Sequence, residues 1–384
     1  MSQMSNNNGK KLNIAMIGHK RIPSREGGVE IVVEELAVRM AKLGHSVTCF
    51  NRGGHHVSGK EFDTANLDEY NGVRLKTVAT IDKKGLAAMS SSFFGAIKAA
   101  FGKYDVVHFH AEGPCAMMWI PKLFGKRVIA TIHGLDWARS KWGGFATKYI
   151  KFGEKTAAKR ADEIIVLSRA VGQYFKDTYN RDTVFIPNGV ERPRLLDAHE
   201  ITEKFGLNSQ DYFLYLGRLV PEKGVEYLIN AYKTTDCKHK LVIAGGSSDT
   251  DEYAAHLREL AKDDERIIFT GFVCGNPLKE LYSNAYTYIL PSDLEGMPLS
   301  LLEAMSYGNC CVTSDIPECA DVIADHGITF PKGSETALAD ILTDLDSNFE
   351  RVSEYKAAAA DYICNKYNWD DVVDKTLALY YGDK

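Results

Sequence analysis

The run Thr287-Tyr288-Ile289-Leu290-Pro291-Ser292-Asp293-Leu294-Glu295-Gly296-Met297-Pro298-Leu299-Ser300-Leu301-Leu302-Glu303-Ala304-Met305 packs a strand, a loop and the start of a helix into one short stretch. Thr287–Leu290 is apolar without polar alternation, which predicts a strand buried on both faces. Pro291 ends it. Pro298 then stands near a first helical turn, where a missing N–H costs nothing, and the helix should stop near Gly308. Glu295 lies just before that helix and Glu303 about one turn inside it. The N–H groups of Gly296, Met297 and Leu299, unpaired at a helix start, offer donors to an oxygen-rich ligand. Carboxylates beside them suit hydroxyl groups, which donate, better than phosphates, which repel. A ligand of the sugar-nucleotide kind matches that mixture.

The same strand-then-helix pattern recurs on both sides. Strands are predicted at Leu12–Ile17, Ser46–Phe50, Val73–Val78, Asp105–Phe109, Arg127–Ile132, Glu163–Leu167 and Thr183–Ile186. A second series follows at Tyr212–Leu216, Lys240–Ala244, Arg266–Phe269, Thr287–Leu290, Cys310–Thr313 and Ile328–Phe330. Between the first two, Val33, Leu36, Ala37 and Met40 form one apolar helical face over Val29–Leu43 before Gly44 stops it. Alternation of this kind implies an α/β fold with two doubly wound parallel sheets. Pro187-Asn188-Gly189 and Pro193 mark the boundary between them. The expected organisation is a disordered lead-in over 1–11, domains over 12–190 and 191–365, and a closing helix over 366–384.

Composition bounds the function. A chain of 384 residues, 45% hydrophobic and 25% charged, is an ordinary globular protein too long for one core. It has no apolar run long enough to span a membrane and no apolar leader in Met1–Lys11. Its eight scattered cysteines lack a Cys-x-x-Cys pair, which argues against a zinc site or disulfide framework and for a cytoplasmic setting. Charge is uneven. Residues 1–190 carry 28 Lys and Arg against 17 Asp and Glu, a net +11, and the remainder carries 18 against 34, a net −16, giving −5 in all. The first half should therefore meet something anionic. No nucleic-acid recognition motif is present, and an anionic membrane surface or a lipid-diphosphate acceptor fits better. The basic, aromatic stretch Trp137–Arg160 suits such a surface, although an amphipathic helix with a solvated basic face explains it too.

Several motifs carry chemistry at strand ends. Arg218 and Lys223 follow Tyr212–Leu216, where two fixed cations would stabilise a departing diphosphate. Gly27-Gly28 closes a loop before a helix and lets the backbone approach a phosphate, without the G-x-G-x-x-G spacing of a dinucleotide site. His133 ends a strand beside Gly134, and His110 ends another, where with Glu112 it is a candidate for lining the acceptor side. Lys20, Arg21 and Arg25 share the glycine loop and are candidates for an anionic acceptor, or else solvated loop charges. Asp249-Thr250-Asp251 and Asp344-Leu345-Asp346 have the form of a metal triplet, but a loop and a helix interior make surface charge the better reading.

Taken in order, Gly27-Gly28-Val29-Glu30, Thr131-Ile132-His133-Gly134, Ile186-Pro187-Asn188-Gly189-Val190, Gly217-Arg218-Leu219-Val220-Pro221-Glu222-Lys223-Gly224 and the Glu295/Glu303 pair resemble the retaining glycosyltransferases of family 4. Ile14 through Glu30, with Glu34-Glu35-Leu36, further resembles bacterial capsule and rhamnose-polymer transferases. The resemblance implies a GT-B fold, two Rossmann-like domains facing across a cleft, with the last helix crossing back to the first. It implies a nucleotide-diphosphate sugar as donor, a glycan or lipid-linked saccharide as acceptor, and no metal or other cofactor. By resemblance, Glu303 accepts the ribose hydroxyls, Glu295 binds ring hydroxyls of the sugar, and His133 lies near the anomeric centre. Gly271 and Val273 would meet the base, and Gly296, Met297, Pro298 and Leu299 the donor. Cys274-Gly275-Asn276-Pro277 departs from the acidic stretch common there, which leaves the base open. Two alternatives stand beside this reading: a nucleotide-sugar epimerase on the same fold, which needs no acceptor, and a non-catalytic glycan-binding scaffold, which has little use for leaving-group cations.

Overall fold

The computed structural model describes residues 10–55, 59–60, 67–81, 83, 85–138, 143–247 and 250–382. The lead-in before Lys10, Arg139, Lys141, Trp142 and Asp249 lie outside them. Among the described residues, strands fall into two sheets. The first comprises β1 (Asn13–Ile17), β2 (Ser46–Arg52), β3 (Glu69–Tyr70), β4 (Val73–Val78), β5 (Val106–His110), β6 (Arg127–Ile132), β7 (Glu163–Val166) and β8 (Val184–Phe185), in the order β3-β4-β2-β1-β5-β6-β7-β8. The second comprises β9 (Tyr212–Leu216), β10 (Lys240–Ala244), β11 (Ile267–Gly271), β12 (Thr287–Leu290), β13 (Cys310–Ser314) and β14 (Ile328–Phe330), in the order β11-β10-β9-β12-β13-β14. All pairings are parallel except the short β3–β4 pair. This is the GT-B architecture.

Helices cover both sheets, so the central strands are largely apolar and buried on both faces. Ile14, Ala15 and Met16 of β1 and Tyr212, Phe213 and Leu214 of β9 are completely buried. Each large apolar side chain so placed contributes about 1.5–3 kcal/mol relative to exposure. In both sheets the winding direction reverses beside the first strand, between β1 and β5 and between β9 and β12. Chain segments leaving the carboxyl ends of strands at such a reversal diverge to opposite faces and open a crevice. Several strands run further at that end than predicted: β2 reaches Arg52, β5 His110, β11 Gly271 and β13 Ser314.

The helix Trp369–Tyr381 packs on the helix Gly28–Lys42 of the first domain. Asn368 caps it, and Val190 bridges to Asn368 where the chain passes between domains a second time. Arg127 Nε donates to the Leu379 carbonyl, and the Tyr380 hydroxyl meets Nδ1 of the fully buried His108 at 2.6 Å. No helix among the described residues is long and apolar enough to cross a membrane.

Candidate active site

Loops from the two reversal points face each other and enclose a cavity of about 350 Å³, within the size range of small-molecule sites. From the first domain come Lys20, Arg25, Gly27 and Gly28 after β1, and His133 after β6. From the second come Arg218 and Lys223 after β9, Val273 after β11, and Glu295 to Leu299 with Glu303 after β12. Residues distant in sequence thus converge because each directly follows a strand of a parallel sheet.

The domains touch at the centre of the cleft. A Cβ on Gly296 would lie 1.7 Å from the His133 carbonyl oxygen, so only glycine permits this approach. Asn188, buried in the inter-domain connection, donates from Nδ2 to the Met297 carbonyl at 3.1 Å. Gly224, with φ +65°, lies so close to the Pro291 carbonyl that a Cβ would sit 1.9 Å from its oxygen. The cation loop and the carboxylate loop are therefore packed backbone to backbone, which brings Lys223 to Glu295.

Nζ of Lys223 lies 2.5 Å from Glu295 Oε1, and Ser292 Oγ donates to the same oxygen at 2.6 Å. Both side chains are nearly inaccessible to solvent, at 12% and 8% exposure. The Arg218 carbonyl accepts from the buried Tyr215 hydroxyl at 2.9 Å, fixing the turn that carries this second cation. Glu303, on the helix Leu299–Ser306, accepts from Tyr282 and from Arg25, each at 3.1 Å. Burial raises its pKa, while Arg25 and Tyr282 act in the opposite direction. A site so built sets cations and carboxylates side by side, so it can hold anionic groups and hydroxyl donors of one ligand.

Five expectations need correction. Arg25, read as an acceptor-side cation, instead reaches across to Glu303 of the second domain. Arg21 does not line the cavity; its guanidinium donates to the Gly54 carbonyl at 2.9 Å and sits beside Glu26. His110 is wholly buried beneath His133, with Nδ1 3.1 Å from His133 Nε2. Burial and the surrounding imidazoles hold its pKa well below the ordinary value. Gly271 stands back from the cavity, its carbonyl accepting from Gly245 N at 2.8 Å. Glu112 is likewise no cleft residue: it is buried, accepts from Asp136 N, and is shifted towards the neutral acid first by burial and then by Asp136 and Glu154.

Among the described residues, the carboxylates of the two acidic triplets are held by partners of their own. Asp344 pairs with Arg351, while Asp346 accepts from the backbone of Lys238 and His239 and from the His239 ring. Asp251 binds Ser247, and Asp249 is among the residues not described. Sequence reading missed Arg52, Asp136, Tyr282 and the segment Gly245-Gly246-Ser247. Three line the cavity, and Tyr282 supports Glu303. A glycine pair directly after β10 was the available signal for the last segment; Tyr282, inside a helix, offered none.

Residues 26–194 match the domain family described as Glycosyltransferase Family 4, and residues 210–348 match Glycosyl transferases group 1. An uncharacterized glycosyltransferase of Methanocaldococcus jannaschii is 26% identical over 96% of this chain and 98% of its own. An O-antigen chain mannosyltransferase B of Escherichia coli is 28% identical over 47% of this chain and 48% of its own. Among solved structures, sucrose-phosphate synthase from Thermosynechococcus elongatus superposes with a TM-score of 0.81 at 20% identity, covering 97% of this chain and 99% of that one. HepE of Anabaena, in complex with UDP-glucose, gives 0.79 at 15% identity over 97% and 100%.

Proposed function

The chain is a glycosyltransferase of the GT-B fold, with a family 4 domain in its first half and a group 1 domain in its second, and from that premise we propose that it moves a hexose from a nucleotide-diphosphate sugar to a lipid-linked surface-glycan acceptor, retaining the anomeric configuration and needing no metal. One observation carries the reading. Lys223 and Glu295 are adjacent on one wall of the cleft, which is the juxtaposition required where a diphosphate meets the sugar it carries. Arg218 and Lys223 would stabilise the charge that develops on the departing phosphate, the task a metal performs elsewhere. Glu303 would take the ribose hydroxyls, and Glu295 and His133 would orient the sugar ring.

Retention follows from a front-face route in this proposal. The bond from the anomeric carbon to the phosphate oxygen breaks while the acceptor oxygen adds from the same side. The acceptor's proton passes to the leaving phosphate oxygen. Double displacement would need a carboxylate aimed at the anomeric carbon, and Glu295 is held by Lys223 and Ser292 through one oxygen. O-antigen mannosyltransferases among the relatives and a UDP-glucose complex among the structural neighbours support a nucleotide sugar and a surface glycan as substrates. Exposed Phe145 and Phe152, with Lys148, Lys155 and Lys159 on the helix Gly144–Arg160, support peripheral docking on an anionic membrane. The deciding experiment incubates the protein with nucleotide sugars and a lipid-linked acceptor and reads the anomeric proton of the product by NMR, with and without excess EDTA. Retention in both conditions is expected; an inverted product, or loss of turnover with chelator, would refute the respective element of the proposal.

A further inference from the structure

Arg25 belongs to the loop after β1, yet its guanidinium ends on the opposite domain. Nη1 donates to Glu303 Oε1 while the Tyr282 hydroxyl donates to Oε2, so both oxygens of the carboxylate already hold a donor. Glu34 and Glu35 also attract the Arg25 cation from the helix Gly28–Lys42, but Glu303 is the strongest of the three. Two neighbouring ribose hydroxyls would bring the same thing to Glu303: hydrogen-bond donors. The guanidinium therefore occupies the partner position that a ribose needs.

We infer that Arg25 is a stand-in ligand for Glu303, displaced when the donor nucleotide binds and transferred to its diphosphate. The inference rests on the nucleotide-sugar reading above. Exchange is physically easy on the arginine side, because its side chain is 45% exposed and leaves no packed cavity behind. It is demanding on the glutamate side, whose side chain is only 23% exposed and whose carboxylate must keep a donor. Ribose hydroxyls supply that replacement. The released guanidinium remains in the cleft, where an entering diphosphate offers more charge than one carboxylate and a geometry suited to a planar fork. Nucleoside binding is thus opposed by loss of the Arg25–Glu303 pair, and the diphosphate gains a cation. Since Arg25 and Glu303 belong to different domains, the exchange also couples donor arrival to the contact between them.

Calorimetry on the full chain tests this. UDP, GDP, ADP and dTDP are first ranked on the wild type. The preferred diphosphate and its nucleoside are then titrated into wild type, Arg25→Gln and Arg25→Lys, with melting curves to verify folding. Arg25→Gln should bind the nucleoside at least about threefold more tightly, and the advantage of diphosphate over nucleoside should shrink by about tenfold, as expected for one charge-assisted contact. Arg25→Lys, a point charge without the fork, should fall between, and it carries the same two criteria if the glutamine variant fails to fold. A nucleoside affinity that does not rise, or an unchanged diphosphate advantage, overturns the exchange and leaves the nucleotide reading standing. A wild type that binds none of the four diphosphates overturns both.

Discussion

Lys223 and Glu295 shield each other from water, so a ligand arriving at that wall must satisfy both partners together. Arg218 lines the same cavity as Lys223, and removal of either cation should tell on turnover. Arg218→Ala is expected to lower turnover by about 10²-fold or more, through loss of charge stabilisation on the leaving group. Lys223→Ala should lower turnover as much and also destabilise the fold by about 3 kcal/mol, because it strands Glu295 without its ion-pair partner. Steady-state kinetics beside thermal melts separates the two, and normal turnover in both variants would remove the leaving-group assignment. Glu303→Ala should raise KM for the donor with a smaller effect on kcat, since its contacts would be made equally in ground and transition states.

Among the elements, the helix Trp369–Tyr381 shows how buried polar contacts fasten one domain's end onto the other's surface. His108 meets the Tyr380 hydroxyl on one ring nitrogen and Thr131 Oγ1, at 2.7 Å, on the other. Burial lowers the His108 pKa to about 3. Its folded value lies below the unfolded one, so its contribution is complete above about pH 6.5 and is lost as pH falls towards 3. His108→Gln should therefore flatten the acid side of the stability profile between those limits, as read by melting temperature against pH. Tyr380→Phe should cost about 1 kcal/mol at neutral pH through loss of one buried hydrogen bond.

The same element explains what was legible in the sequence. Central strands were readable because burial on both faces makes them predominantly apolar, whereas β3 contains exposed Glu69 and half-exposed Tyr70 and carries no such signal. Strand-end residues were readable as a site because a parallel sheet gathers them at one edge. His110 misled because position along a strand does not reveal which face is covered. His108 and His110, two apart, share a face, their rings 4.1 Å apart, and Tyr380 packs on that face from the far end of the chain. Arg25 misled for a related reason: its partner lies 278 residues away, and nothing local distinguishes a loop cation that meets solvent from one that crosses a cleft.

For the whole molecule, the charge division is +11 over residues 1–190 against −16 over the remainder, and the proposed membrane face lies on the first, basic stretch. Exposed aromatic groups extend this face beyond the stretch singled out in the sequence. Phe101 and Phe124 stack edge to face with centroids 4.7 Å apart, and Leu123 and Trp119 are exposed on the adjoining helix Trp119–Leu123. Binding to vesicles containing anionic lipid is expected at low salt and should weaken steeply as ionic strength rises, because surface attraction decays over about 10 Å at 0.1 M. Sedimentation with such vesicles measures it; indifference to them at low salt would assign the charge division to another partner.

The returning helix also has a consequence for biosynthesis. Trp369, Val372, Val373, Leu377 and Tyr380 are buried where that helix closes over the first domain, so the ribosome supplies the lid of the first domain only after the second domain. Until residues 369–381 emerge, the earlier domain must wait with an apolar groove uncovered, while the second domain has all its own strands in hand by Phe330. Domains usually mature in the order they are synthesised; here the later one should reach protease resistance first. Stalled nascent chains ending shortly after residue 368 should yield a protected fragment from the second half and digestion of the first. Equal protection of both halves at that length would show that the first domain closes without its last helix.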